Sequence, residues 1–302
     1  MARSRFAPDK GLTRRMGLTI FLLGLVYVVG ITAIVLNTSV AYLPVILVIA
    51  VGFLVFQWYA SDKIALFAMG GREVTPQQAP ELHAIVDRLC SLADMPKPRV
   101  AIANSDMPNA FATGRDPKNS VVCVTTGLMR RLDRGELEGV LSHELSHVAH
   151  RDVTVMLVAS FLGILAGIIS RYAIYFGGGD RRDNNGANPI VIVIAVSVVV
   201  YALSFFLIRA LSRYREYAAD RSGAMLTGQP SQLSSALLKI SGEMGRVPTR
   251  DLRKAEAFNA FYFVPAFAKG KSGSLAQLFQ THPPVAKRIE ALGRISAELG
   301  RP

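Results

Sequence analysis

Four long stretches without a charged side chain constrain this chain more than any other feature: Met16–Leu36, Val40–Ala60, Val153–Ser170 and Pro189–Ile208. They run for 21, 21, 18 and 20 residues. At ~1.5 Å rise per residue, a helix of about 20 residues crosses a hydrocarbon layer of ~30 Å. Four transmembrane helices are therefore expected. Composition agrees, since 51% of the 302 residues are hydrophobic and only 19% charged, against roughly 25% charged in soluble domains. That balance excludes a disordered or disulfide-scaffold chain. Basic residues precede the first stretch, as in a secretory signal. Its apolar run exceeds the ~7–15 residues of such a signal and a second run follows at once, so an uncleaved anchor is expected.

The flanking charges predict an orientation. Arg3, Arg5, Lys10, Arg14 and Arg15 precede the first stretch against Asp9 alone, and Arg209, Arg213 and Arg215 follow the fourth. The positive-inside bias places both termini, and the block Ser61–Asp152, in the cytosol. Gly177–Asn188 becomes an external loop. Most of the net charge of +12 then faces the cytosol and an anionic leaflet. No nucleic-acid partner is expected, because neither a recognised motif nor an aromatic stacking stretch accompanies the basic residues.

Between and after the apolar stretches the pattern is α+β, mostly helical, with a small sheet. Gln77–Ala93 reads as an amphipathic helix with Leu82, Ile85, Val86 and Leu89 on one face. Arg99–Ala103 and Ser120–Thr125 read as strands, with Asn109–Thr113 as an edge strand between them. Asp133 and Glu136 form a capping-box signature opening a helix toward His150. Helices are expected at Arg209–Leu226, Ser231–Met244 and Pro284–Leu299. His83 reads as a surface residue, and Trp58 with Tyr59 as part of an interfacial aromatic belt. Cys90 and Cys123 lack any ligand spacing and allow one disulfide at most.

The chemistry gathers at His143-Glu144-Leu145-Ser146-His147. Residues i and i+4 share a helix face, so two imidazoles at this spacing can hold one Zn²⁺. Glu144, beside the first ligand, is placed to take a proton from an attacking water and pass it to a leaving amine. A third ligand is required. His150 is one candidate. Glu216, in Glu216-Tyr217-Ala218-Ala219-Asp220, is the better one, and Asp220 shares its helix face. His147 lies six residues before the third apolar stretch and Glu216 eight after the fourth. Continuous helices would carry them ~9 Å and ~12 Å above the same membrane boundary.

HExxH, EYAAD after a second apolar pair, and the C-terminal Thr281-His282-Pro283-Pro284…Arg288-Ile289 follow in order. With these the chain resembles the HtpX-type integral-membrane zinc endopeptidases, relatives of the CAAX-prenyl-type membrane proteases, from about Met16 to Leu292. The resemblance implies four transmembrane helices carrying a cytosolic zincin-like (gluzincin) domain. Residues 1–60 would hold the N-terminus and helices 1 and 2, and 61–152 the first part of the protease domain. Residues 153–208 would hold helices 3 and 4 with loop 177–188, and 209–302 the second part. It implies one zinc per chain on His143, His147 and Glu216, with Glu144 catalytic and Asp220 holding His143. Asn109, Ala110 and Phe111 would pair with the substrate backbone. His282 would stand near the zinc and donate to the developing oxyanion. Arg288 would hold a carboxylate or substrate backbone, or act structurally. The implied substrates are misfolded or damaged membrane proteins, cleaved at the cytosolic face of a bacterial cell membrane. A rival reading is a non-hydrolytic zinc carrier or sensor with the same ligands, in which Glu144 has no task. The aromatic-rich Asp251–Ser274 segment is expected to cover the resting site.

Overall fold

A computed structural model describes residues 10–37, 43–156, 159, 189–244 and 282–300. Helix α1 (Lys10–Asn37) contains the first apolar stretch, and α2 (Leu43–Met69) the second from Leu43 onward. Gly70, at φ 64°, ends α2 in the left-handed conformation that glycine adopts without strain. There follow β1 (Gly71–Glu73), α3 (Pro80–Ala93), β2 (Arg99–Ala103), β3 (Ala110–Asp116) and β4 (Asn119–Thr125). Helices α4 (Thr126–Arg131), α5 (Arg134–Ala149), α6 (Pro189–Thr227), α7 (Pro230–Met244) and α8 (Val285–Glu298) complete the described chain.

The sheet order is β1-β2-β4-β3, with β2 parallel to β4 and the other pairs antiparallel. One face packs on α3 and α5. Leu82, Ile85, Val86 and Leu89 of α3 meet Val100, Val122 and Val124 of the sheet and Val140, Leu141 and Leu145 of α5. Leu233 and Leu237 of α7 and Leu292 of α8 extend that core. The opposite face is covered by the end of α2, where Ala65 and Leu66 pack on Ala101, Phe111, Val121 and Cys123. The sheet is thus fixed between the soluble helices and the base of an apolar helix.

A separate cluster joins Leu23 and Tyr27 of α1 to Val200 and Leu211 of α6. A Cβ on Gly30 would stand 2.4 Å from Val200 Cγ2, so the two backbones approach closely there. Toward the other end, Arg15 shares a cavity with Tyr214. Moving back along α1 therefore corresponds to moving forward along α6, and the helices are antiparallel. Both are long and apolar enough to cross a membrane, over Thr13–Gly30 and Ile194–Thr227. Outward-facing Phe21, Val28 and Val29 on α1, and Val191, Val198 and Val199 on α6, are exposed.

Among the described residues two candidate spans are found, over the first and fourth of the four expected stretches. Most of the third stretch, loop 177–188 and the 251–274 segment lie outside the described residues. The first soluble helix starts at Pro80, not Gln77, because Gln78 N–H bonds Thr75 O at 3.0 Å and Gln78 Oε1 accepts from Thr75 N at 2.9 Å. That closes a turn, and Pro80 then opens the helix. Strand β1 was not anticipated. The helix expected at Arg209–Leu226 is the second half of the continuous 39-residue α6. His83 is buried, not on the surface, with Nε2 2.9 Å from Val74 O. Both cysteines are buried thiols without a disulfide.

Candidate active site

Helix α5 opens with the expected capping box: Asp133 accepts from Glu136 N–H, and Glu136 accepts from Asp133 N–H. Two of the orphan amides at a helix start are thereby satisfied. The capped helix presents His143 and His147 one turn apart, with their Nε2 atoms 3.1 Å from each other. Helix α6 brings Glu216 over this pair. Its Oε2 is 3.7 Å from His143 Nε2 and its Oε1 is 3.6 Å from His147 Nε2. Among the described residues, His143, His147 and Glu216 form the group able to hold a metal ion, one donor atom from each lying within 4.8 Å of the others. His150 is outside that group; it caps the C-terminus of α5.

Each imidazole is fixed through its other nitrogen. His143 Nδ1 lies 2.9 Å from Asp220 Oδ1. Asp220 receives two hydrogen bonds from Arg288, from Nε at 2.8 Å and Nη2 at 2.6 Å. His147 Nδ1 lies 2.5 Å from Asp152 Oδ2, and Arg215 Nε reaches that same oxygen at 3.0 Å. Asp152 and Arg215 had not been singled out. The signal was present, an acid five residues after a ligand-spaced histidine, but its meaning depends on the turn at Arg151, where φ is 55°. Gly223 was also missed. A Cβ there would come within 2.9 Å of His143 N, so the close approach of α6 to α5 requires glycine.

Glu144 points to the edge of the sheet, where its Oε2 accepts from Ala112 N–H at 2.9 Å. Thr125 N–H donates to Asn109 O at 2.9 Å, which turns Asn109 toward β4. Alternation then turns Phe111 and Thr113 inward and the backbone of Ala110 and Ala112 outward. The side chains of Asn109, Ala110 and Phe111 are all buried. What this edge offers beside the site is backbone.

His282 stands with Nδ1 3.1 Å from Glu216 Oε2, although neither atom makes a well-formed hydrogen bond among the described residues. Arg288 is fully buried, and its Nη1 is 3.5 Å from Glu216 Oε2. It therefore binds the carboxylates of the site from inside the protein.

The electrostatics follow from burial and these partners. Burial, reinforced by the neighbouring positive groups Arg288 and His147, lowers the His143 imidazole to about 4 despite Asp220. At neutral pH it is unprotonated, the form that can donate to a metal. Burial lowers His147 too, but the Asp152 hydrogen bond and charge outweigh it and raise the imidazole above its ordinary value. Burial pushes the Glu144 carboxyl up to about 7, against His147 and the Ala112 hydrogen bond. Against its own burial, Asp152 is held down at about 2 by Arg215 and His147.

An HExxH helix, a facing carboxylate and an adjoining edge strand, carried on apolar helices, define the class: an HExxH protein with membrane-type helices. The comparisons narrow it. The model of peptidase family M48 matches residues 76–296. "Protease HtpX homolog 1" of Streptomyces coelicolor is 58% identical over 99% of this chain and 97% of its own length. The HtpX homologue of Moorella thermoacetica is 52% identical over 98% of each chain, and HtpX homologue 2 of Methanosarcina acetivorans 48% identical over 98% of this chain and 99% of its own. The crystal structure of S. mikatae Ste24p shares the fold, with a TM-score of 0.55 and 20% identity over 92% of this chain and 66% of that one. The chain belongs to peptidase family M48, as an HtpX-type protease.

Proposed function

We propose that this protein is a zinc-dependent endopeptidase, anchored in the cell membrane by four helices. It would cleave misfolded or damaged membrane proteins at the cytosolic face. The convergence of His143, His147 and Glu216 beside Glu144 carries the reading. Tetrahedral coordination at ~2.0–2.1 Å separates ligand atoms by roughly 3.3 Å. The two imidazole nitrogens are 3.1 Å apart, each has a different Glu216 oxygen at 3.6–3.7 Å, and one donor atom from each residue lies within 4.8 Å of the others. Glu216 Oε2, buried without a hydrogen-bond partner among the described residues, is the kind of atom that a bound cation satisfies. The donor set therefore fits zinc. Bound there, zinc supplies Lewis acidity and makes water a nucleophile at neutral pH.

The chain's own residues supply the rest. The outward backbone of Ala110–Gly114 can take a substrate strand by antiparallel pairing, which demands little of its sequence. Glu144, ionised, takes the proton of the attacking water and returns it to the leaving amine. Its hydrogen bond to Ala112 N–H ties the base to the strand that positions the peptide. His282, 3.1 Å from Glu216, would donate to the scissile carbonyl oxygen as charge develops there. Arg288 holds Asp220 and compensates the buried negative charge of the ligand set.

The antiparallel pairing of α1 and α6 supports the topology. It puts the basic start of α1 and the Glu216 half of α6 at one end, the side on which the sheet also sits. A cytosolic site would meet the loops of neighbouring membrane proteins first. The test is zinc content together with casein cleavage, on detergent-purified full-length wild type and Glu144→Gln. One zinc per chain in both, with cleavage only by wild type, is expected. Zinc in both without cleavage in either would favour the carrier or sensor. No zinc in either, after metal-replete purification, would overturn the reading.

A further inference from the structure

A cavity that shares no residue with the HExxH site lies at the level where α1 enters its apolar stretch. It has a volume of about 530 Å³ and is lined by Arg15 of α1, Tyr214, Tyr217 and Arg221 of α6, and Arg294 and Glu298 of α8, with Ala291 and Ile295 supplying apolar wall. That size falls within the ~300–1,000 Å³ of small-ligand sites. Three arginines against one glutamate leave the lining positive. Arg221 Nη1 binds Glu298 Oε2 at 3.0 Å, so part of the charge is compensated internally. Arg15 and Arg294 are exposed. Guanidinium groups match phosphate oxygens in pairs, and the two tyrosine hydroxyls add neutral donors of the kind found at a membrane–water boundary.

Position gives the second, independent argument. Arg15 immediately precedes the uncharged run Met16–Leu36, and the outward faces of α1 just beyond it, Leu18, Phe21 and Leu22, are exposed and apolar. A molecule with a phosphate in the cavity and acyl chains along those residues would match both surfaces at once. We infer that this cavity binds the phosphate of an anionic phospholipid headgroup. Basic pockets between membrane helices on the cytoplasmic side take such headgroups by this combination of charge and depth. The site shares helices α6 and α8 with the metal centre but none of its residues, so it stands or falls separately from the proteolytic reading.

The test is native mass spectrometry of the full-length protein, released from neutral detergent after titration with phosphatidylglycerol or phosphatidylcholine. Wild type should retain one phosphatidylglycerol per chain and no phosphatidylcholine with comparable affinity. Arg15→Gln with Arg294→Gln should weaken retention about fivefold for each arginine removed. Glu298→Gln should tighten it, because the substitution removes the negative charge from the lining; a variant that merely loosens the fold would not. Equal binding of phosphatidylcholine, or unchanged binding by the double variant, would overturn the inference. Displacement of the lipid by millimolar glycerol 3-phosphate would overturn the lipid assignment and make this a site for a soluble phosphate.

Discussion

Arg288 and Asp220 form a two-pronged ion pair inside the protein, with Nε–Oδ2 2.8 Å and Nη2–Oδ1 2.6 Å. Each residue is 1% exposed, and Asp220 also lies 2.9 Å from His143 Nδ1. The pair spans from α8, near the C-terminal end of the chain, to the metal-site helix.

Breaking one member of a buried pair strands the other charge, at about 3–5 kcal/mol. Arg288→Met is therefore expected to lower thermal stability sharply. Arg288→Lys keeps the charge but loses the fork and should fall between. Asp220→Asn should weaken zinc binding about 10–100-fold, as loss of a histidine's orienting partner does. Competition with a chromophoric chelator measures the affinity, and circular dichroism melting the stability. Unchanged affinity in Asp220→Asn would mean that this carboxylate does not orient His143.

Asp152 makes the matching claim for His147. Its carboxylate is shared between His147 Nδ1 at 2.5 Å and Arg215 Nε at 3.0 Å. Asp152→Asn should also weaken zinc binding about 10–100-fold. Arg215→Gln should do so less, since it acts only through Asp152. If Arg215→Gln is the more severe of the two for metal affinity, the order of action proposed here is wrong.

What the sequence made legible was local. HExxH puts two histidines on one face because an α-helix repeats every 3.6 residues, and Asp133 with Glu136 caps that helix from within four residues. EYAAD was readable for the same reason, and Glu216 and Asp220 do face His143 together. What stayed hidden depends on turns and long-range partners. Asp152 needs the turn at Arg151, the burial of His83 needs the Val74 carbonyl, and the role of Arg288 needs α8 to dock on α6. Strand β1 is only three residues long and forms because Gly71–Glu73 pairs with Ala101–Ala103, which no periodicity of its own announces.

Two glycines provide a contrast within one experiment. At Gly223 an added Cβ would meet His143 N and Ser142 Oγ, each at 2.9 Å. Both helices would have to part, so Gly223→Ala is expected to cost about 1–3 kcal/mol and to weaken metal binding. At Gly242, within α7, a Cβ would meet nothing within 4 Å among the described residues. Gly242→Ala should stabilise by about 0.5–1 kcal/mol through helix propensity. Melting temperatures of the two variants should move in opposite directions; a tolerated Gly223→Ala would contradict the close α5–α6 approach.

The cysteines test the core independently of the metal. Burial pushes both the Cys90 and Cys123 thiols up to about 12. Only the thiolate reacts appreciably with iodoacetamide, so at pH 8 the folded protein should remain unlabelled and denatured protein should take up two labels. Rapid labelling of native Cys123 would mean that α2 does not cover the sheet.

Glu144 predicts the acid limb of activity. A general base works only when ionised, and burial has raised this carboxyl to about 7. Below that value it is protonated and cannot accept a proton; above it the base is available. Cleavage should therefore rise with pH through a single ionisation. A bound dication adds positive charge beside the carboxylate and draws the midpoint downward, so kcat/KM should reach half its plateau at or below pH 7. Replacing Ala112 with proline removes the N–H that stabilises the ionised form through its 2.9 Å hydrogen bond. Ala112→Pro should shift the midpoint upward as well as lower the plateau. The measurement is a pH profile of fluorogenic peptide cleavage by zinc-loaded wild type and Ala112→Pro, with zinc content checked at each pH. A midpoint unmoved by the substitution would show that the edge strand does not tune the base.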